Sequence, residues 1–183
     1  MIEIEPIRWH NGHLQLLDQR ILPLHEEWIK VTNYQQAINA ISNMVVRGAP
    51  AIGVTGAYAM VLASQNIPSD ISIEEFLSEI RDIGQKIQVA RPTAVNLAWA
   101  IGHCLDSIDH CSSVTEAKTL LMATAEAMQL QDVLANQLLG HHGSELIPND
   151  AGILTHCNAG ALATAGWGTA LGVIRSAWDK GKQ

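Results

Sequence analysis

The stretch Gly152–Gly168, GILTHCNAGALATAGWG, holds the residue best suited to chemistry, Cys157. An apolar run, Ile153-Leu154-Thr155, leads into it, and a segment rich in Gly and Ala follows. That pattern predicts a strand delivering a thiol to the start of a helix. At this edge of an α/β sheet ligands bind, and the helix dipole favours the thiolate, a stronger base and nucleophile than the thiol. The competing reading is a small buried hydrophobe. His156 and Asn158 flank the cysteine and are further candidates to line a site. Gly160, Gly166 and Gly168 permit close backbone approach, but they do not form the G-x-G-x-x-G pattern of dinucleotide binding.

Two other stretches carry chemistry suited to an anion. In RGAP, Arg47 offers a forked cation, Gly48 and Ala49 let backbone N–H groups approach a ligand, and Pro50 suits the first position of a following helix. In ARPT, Arg91 precedes a proline, and Thr93 is the expected N-cap of the next helix. Each loop also reads as an ordinary connection with a solvated arginine. Together they form a possible two-point clamp, if the two arginines converge. HCLDSIDHC places His103 with His110, and Cys104 with Cys111, two helical turns apart, but zinc ligands more often come from a tight knuckle plus a second element. The pair in GHHG, residues 140–143, reads as a structural loop.

The elements that must position these residues follow from periodicity. Residues 1–31 alternate as short strands, with Asn11-Gly12 as a hairpin turn and EEWIKV as a third strand. From Thr32, expected to cap a helix with Gln35, the period becomes helical. Further helices are expected in AIGVTGAYAMVLASQ, after the Ser72 and Glu75 capping pair, in AVNLAWAIGHCLDSI, and from 114 to about Gly140. A connector with turn chemistry at Pro148-Asn149-Asp150 precedes the final strand, turn and helix. A buried parallel strand needs neighbours on both sides, so residues 150–183 read as the opening of a longer α/β domain. The fold class is therefore α/β (α+β overall). A domain over 1–149, with a small antiparallel sheet (1–31) and helices (32–147), is expected to be followed by the first βα unit of a Rossmann-like domain, incomplete over 150–183.

Composition limits the function. A net charge of −7 argues against nucleic acid or an anionic membrane as the main partner, since both need a basic footprint. No apolar run is long enough to span a bilayer, and MIEIEPIRW lacks the pattern of a signal peptide. Three scattered cysteines make no disulfide framework, which predicts a reducing cytoplasm.

LLDQRILP, MVVRGAPAIGVTGAYAM, ARPTAVNLAWAI, LGHHGSELI and ILTHCNAGALATAGWGTALGVIR together resemble the methylthioribose-1-phosphate isomerase family of methionine salvage. The resemblance runs from Ile7 to Lys182. It implies an aldose–ketose isomerisation of 5-methylthioribose 1-phosphate to 5-methylthioribulose 1-phosphate, with no metal or redox cofactor. It also implies that Arg47, Gly48, Ala49 and Arg91 hold the substrate phosphate and that Cys157 is the catalytic cysteine. The family's partner aspartate lies in the downstream α/β domain, beyond Gln183, so this chain alone is not expected to turn over. A homodimer, or a complementary C-terminal half, is the implied partner. Ribose 1,5-bisphosphate isomerases and the non-catalytic regulatory subunits of the translation-initiation exchange factor share the architecture and are the alternatives. An intact THCNAGALAT beside RGAP favours an enzyme, because a binding subunit has no chemical need for the thiol.

Overall fold

The computed structural model describes residues 4–182. Strands β1 (Ile7–His10), β2 (His13–Leu17) and β3 (Trp28–Val31) form an antiparallel sheet in that order. The hairpin turns where expected, with Asn11 at φ 49° and Gly12 at φ 75°, the paired left-handed conformation that matches strand twist. Alternation puts Ile7, Leu14, Leu16 and Val31 on one fully buried face. The outer edge of β1 is occupied by a side chain: Gln129 Nε2 donates to the Ile7 carbonyl (3.0 Å), and the Tyr58 hydroxyl donates to Gln129 Oε1 (2.5 Å). Burial, reinforced by the nearby Glu126 charge, pushes the Tyr58 hydroxyl up to about 12, so it stays a donor.

Six helices follow: α1 (Tyr34–Ser42), α2 (Ala49–Asn66), α3 (Ile73–Gln88), α4 (Val95–Ile108), α5 (Val114–Glu145) and α6 (Ala170–Asp179). Helix α2 is the centre. It is apolar on every side, every residue from Ala51 to Ser64 is buried, and α1, α3, α4 and α5 pack around it. Helix α3 buries a stripe of Phe76, Ile80, Ile83 and Ile87, and Ser72 caps it as expected by accepting from Glu75 N–H.

Five expectations change. The cap of α1 is Asn33, one residue later than expected; it accepts from Gln36 N–H, while Gln36 Oε1 takes the Thr32 N–H (2.7 Å). The N-cap of α4 is Ala94 rather than Thr93, with no side-chain cap, and Pro50 is the second residue of α2 rather than the first. Helix α5 continues through Gly140 to Glu145, so His141 and His142 are helical. Gly140 reads as a terminator in sequence, yet its role is contact: a Cβ there would lie 2.5 Å from Ser176 Oγ and 2.9 Å from the Gly172 carbonyl of α6. Finally, Ile153–Thr155 forms no strand among the described residues. With no neighbouring strand to pair with, the run lies open, Leu154 98% exposed.

Gly140→Ala separates the two roles of that glycine. A free helix interior would gain about 0.5–1 kcal/mol from the change. Overpacking against α6 is expected to outweigh it and destabilise the chain by about 1–3 kcal/mol in urea denaturation. A net gain in stability would contradict the close α5–α6 contact.

Candidate active site

Helices α1, α3 and α5 are each capped by a side chain, Asn33, Ser72 and Ser113. Helices α2 and α4 are not, and both begin just after an arginine loop. They run parallel. A Cβ at Gly53 would lie 3.1 Å from the Asn96 carbonyl, and one at Gly56 would meet Leu97 and Ile101 further along. Their free N–H groups and positive dipole ends therefore share one end of the bundle. Arg47 is exposed and Arg91 half-buried. Neither guanidinium has a hydrogen bond or ion pair among the described residues. Gly48 is the N-cap of α2 at φ 99°, and Ala49 is its first helical residue.

The cysteine segment packs onto this end. After Cys157 the chain forms one turn of 3-10 helix, Ala161–Ala163, and closes a loop by a bridge between Gly160 and Gly168. A Cβ on Gly48 would sit 2.6 Å from the Ala163 Cβ and closer still to its backbone. The RGA loop thus rests directly on the turn that follows the cysteine. Past that turn, Ala165 N–H donates to the carboxylate of Asp132 on α5 (2.7 Å). The Thr164 hydroxyl, fully buried, bonds the Ala161 and Gly166 carbonyls within the loop.

Cys157 itself differs from expectation. It is exposed and left-handed, φ 67°, an uncommon conformation for a residue with a Cβ. No strand ends at it and no helix starts at it; the short turn begins at Ala161 and α6 at Ala170. His156 is exposed, and Asn158 lines an apolar cleft of about 750 Å³ with Leu162, Trp167, Leu171, Ile174 and Trp178. Arg175 lies over the Trp167 ring, 4.4 Å from its centroid.

A second, smaller cavity of about 230 Å³ lies between the first turns of α2 and α4 and the middle of α5, bordered by Pro50, Gly53, Asn96, Trp99, Met128 and Asp132. Asp132 is a residue the sequence reading missed, although a lone acid in MQLQDVLANQLLG, among Leu, Ala and Gln, is a visible signal. Burial raises its carboxyl above the ordinary value, against the lowering effect of the Ala165 N–H and Asn136.

The paired His and Cys of HCLDSIDHC do not gather. Cys104 is buried, its thiol pushed up to about 12 by desolvation, and His103 stacks on Trp99 at 5.5 Å. Among the described residues, the group of three close enough to share an ion is His141, His142 and Glu145, all exposed. Lys180 Nζ already stands 3.8 Å from the Glu145 carboxylate. No helix among the described residues is long and apolar enough to cross a membrane.

Two uncapped helix ends, two arginines without partners and an adjoining thiol segment meet at one end of a helical domain. The chain belongs to the Initiation factor 2 subunit family, which it matches over residues 45–183. It is 45% identical over 184 residues to a methylthioribose-1-phosphate isomerase of Syntrophotalea carbinolica, covering 100% of this chain and 53% of that protein. It is 46% identical over 177 residues to the isomerase of the same name from Alcanivorax borkumensis, covering 95% of this chain and 49% of that protein. Its fold is similar to 5-methylthioribose 1-phosphate isomerase from Pyrococcus horikoshii OT3 (TM-score 0.90, 34% identity, 97% of this chain and 50% of that one). It is also similar to translation initiation factor eIF-2B, subunit delta, from A. fulgidus (TM-score 0.87, 39% identity, 98% and 52%). The chain spans about half the length of the curated relatives it matches.

Asp132 gives a pH test. Its folded-state value lies above the unfolded one, so the stability it contributes is fully present below the unfolded value and is lost as pH rises through the folded value. Asp132→Asn keeps an acceptor for Ala165 N–H without the charge. It is expected to stabilise the chain at neutral pH, with the gain vanishing below about pH 4. Asp132→Ala leaves that N–H unpaired and should cost about 1–3 kcal/mol. Denaturant melts at both pH values check the pair; an Asn variant less stable than wild type at neutral pH would refute the burial argument.

Proposed function

We propose that this chain carries the phosphate-binding and thiol half of an aldose–ketose isomerase acting on 5-methylthioribose 1-phosphate. One observation carries the reading: Gly48 of the RGA loop is seated on the turn that follows Cys157, so anion-binding groups and thiol belong to one structural unit. The identity to proteins named for this reaction supports the substrate. In this reading Arg47, the N–H groups at Gly48 and Ala49, and Arg91 hold the phosphate. Anchoring it fixes the sugar relative to the thiol and supplies orientation away from the reacting carbons.

The chemistry assigns the remaining roles. The phosphate blocks the anomeric oxygen, so the ring opens only when an acid protonates the ring oxygen. Hydrogen then passes from C2 to C1, and Cys157 is the group proposed to take a proton from C2 and return one to C1. The ring-opening acid belongs to a complementary C-terminal half, which the relatives' greater length supports. Residues 150–183 would open that α/β domain, with Ile153–Thr155 becoming a strand once neighbours flank it. The apolar cleft along α6, with Trp178 68% exposed, suits such a partner, and so does pairing of two chains in a homodimer. The natural setting is the cytoplasm. A second reading, a non-catalytic regulatory subunit, draws on the likeness to the initiation-factor subunit; it gives Cys157 no task.

Isomerisation assayed on the chain joined by its complementary half separates the two. Cys157→Ser is expected to abolish turnover while leaving sugar-phosphate binding within about two-fold. Arg91→Ala removes a charge-assisted contact and should weaken binding by about 10–100-fold with little change in folding. Near-normal turnover by the serine variant would sink the catalytic role, and unchanged affinity in the alanine variant would remove Arg91 from the phosphate site.

A further inference from the structure

We infer that Gln19 is a positioning residue, fixing the RGA loop and the Cys157 segment at one spacing. Its backbone N–H donates to the Val45 carbonyl (3.0 Å), two residues before Arg47. Its side-chain Nε2 donates to the Leu162 carbonyl (2.8 Å), next to the Ala163 that receives Gly48. One residue therefore bonds both the stretch leading into the RGA loop and the turn that meets Gly48, through two separate hydrogen bonds.

The turn carrying Gln19 is built to hold still. Asp18, 5% exposed, donates its N–H to the Glu27 carbonyl (2.9 Å). Its carboxylate accepts from Arg20 three times, from N–H (3.0 Å), Nε (2.8 Å) and Nη2 (2.6 Å). A forked pair of this kind fixes direction as well as distance. The side chains on either side of Gln19 are thus locked to each other, and Gln19 is aimed across at a different part of the chain. Nothing in this arrangement brings Gln19 itself to a reacting atom. Its effect passes through the loop and the turn it joins. The functional weight of that spacing rests on the isomerase reading above; the mechanical coupling does not.

Hydrogen–deuterium exchange on the whole chain tests the coupling. Gln19→Ala removes the donor, and Gln19→Glu keeps the volume but cannot donate to the Leu162 carbonyl. Both are expected to speed exchange across residues 159–166 by about three- to ten-fold, the loss of one net hydrogen bond, with peptides from α3 unchanged. Should the alanine variant fold poorly, the glutamate variant decides. Unchanged exchange over 159–166, or acceleration spread evenly along the chain, overturns the inference.

Alkylation of Cys157 by iodoacetamide, with Cys111 as internal reference, adds a readout that a merely structural role would not move. In wild type, methylthioribose 1-phosphate should shield Cys157. In Gln19→Ala the sugar phosphate should bind within about three-fold of wild-type affinity while the shielding falls at least five-fold. Shielding retained with accelerated exchange would overturn the positioning role, and an affinity loss matching that of Arg47→Ala would make Gln19 a ligand instead. If wild-type Cys157 is not shielded at all, the isomerase reading fails, and the exchange result still decides whether Gln19 couples the two segments.

Discussion

The closest approach in this structure that side chains could not permit is between Gly48 and Ala163. Two requirements meet at Gly48: a left-handed backbone, φ 99°, and no Cβ, because Ala163 occupies the space. Only glycine satisfies both without strain. From that contact the rest follows. The start of the central helix must lie against the turn after Cys157, so the arginine before the helix and the thiol before the turn share one neighbourhood. The small residues on the other side, Ala161, Ala163 and Ala165, are all buried and keep the segment thin enough to fit. Gln19 and Asp132 then hold this segment, one from the turn after β2 and one from α5.

The central helix makes such a site affordable. Helix α2 is buried on every face, so its direction is set by four packed neighbours rather than by a cap. Its N-terminus can be left without a capping side chain and still not fray. The same holds for α4, which is locked beside α2 through Gly53 and Gly56. Parallel packing of two helices is electrostatically unfavourable, since like dipole ends meet. An anion at the shared end removes that penalty. Stability and ligand binding are thereby coupled: the feature that costs folding energy is the one the proposed phosphate relieves.

Local signals were legible and long-range ones were not. Asn11-Gly12 specified the hairpin because its backbone conformation is a property of two residues alone. The stripe of α3 and its Ser72 cap were equally local. The arginine loops were correctly placed before helices, yet no property of RGAP or ARPT alone says that the helices are parallel. Gly140 misled because a glycine after a helical run reads as a terminator, and only the proximity of Ser176 and Gly172 explains it as a contact. Ile153–Thr155 misled because a strand is a property of a pair, and an apolar run states a capacity rather than an outcome. Gln19 and Asp132 act on Leu162 and Ala165, far away in the chain, which no periodicity reports.

Cys157 shows what the proposed site would demand of its surroundings. In the proposed role, a thiol passing one proton between adjacent carbons would have to keep that proton from water, yet Cys157 is exposed on a left-handed turn. Beside it, Asn158 opens onto the apolar cleft whose far wall is Leu171, Ile174 and Trp178. Those side chains lose water-exposed area only if something lies over α6, and Asn158, which lines the same cleft, would be covered with them. On the proposed reading, the apolar face and the exposed thiol are one requirement. Burial of the first supplies the driving force, and exclusion of water from the second is the consequence that chemistry needs.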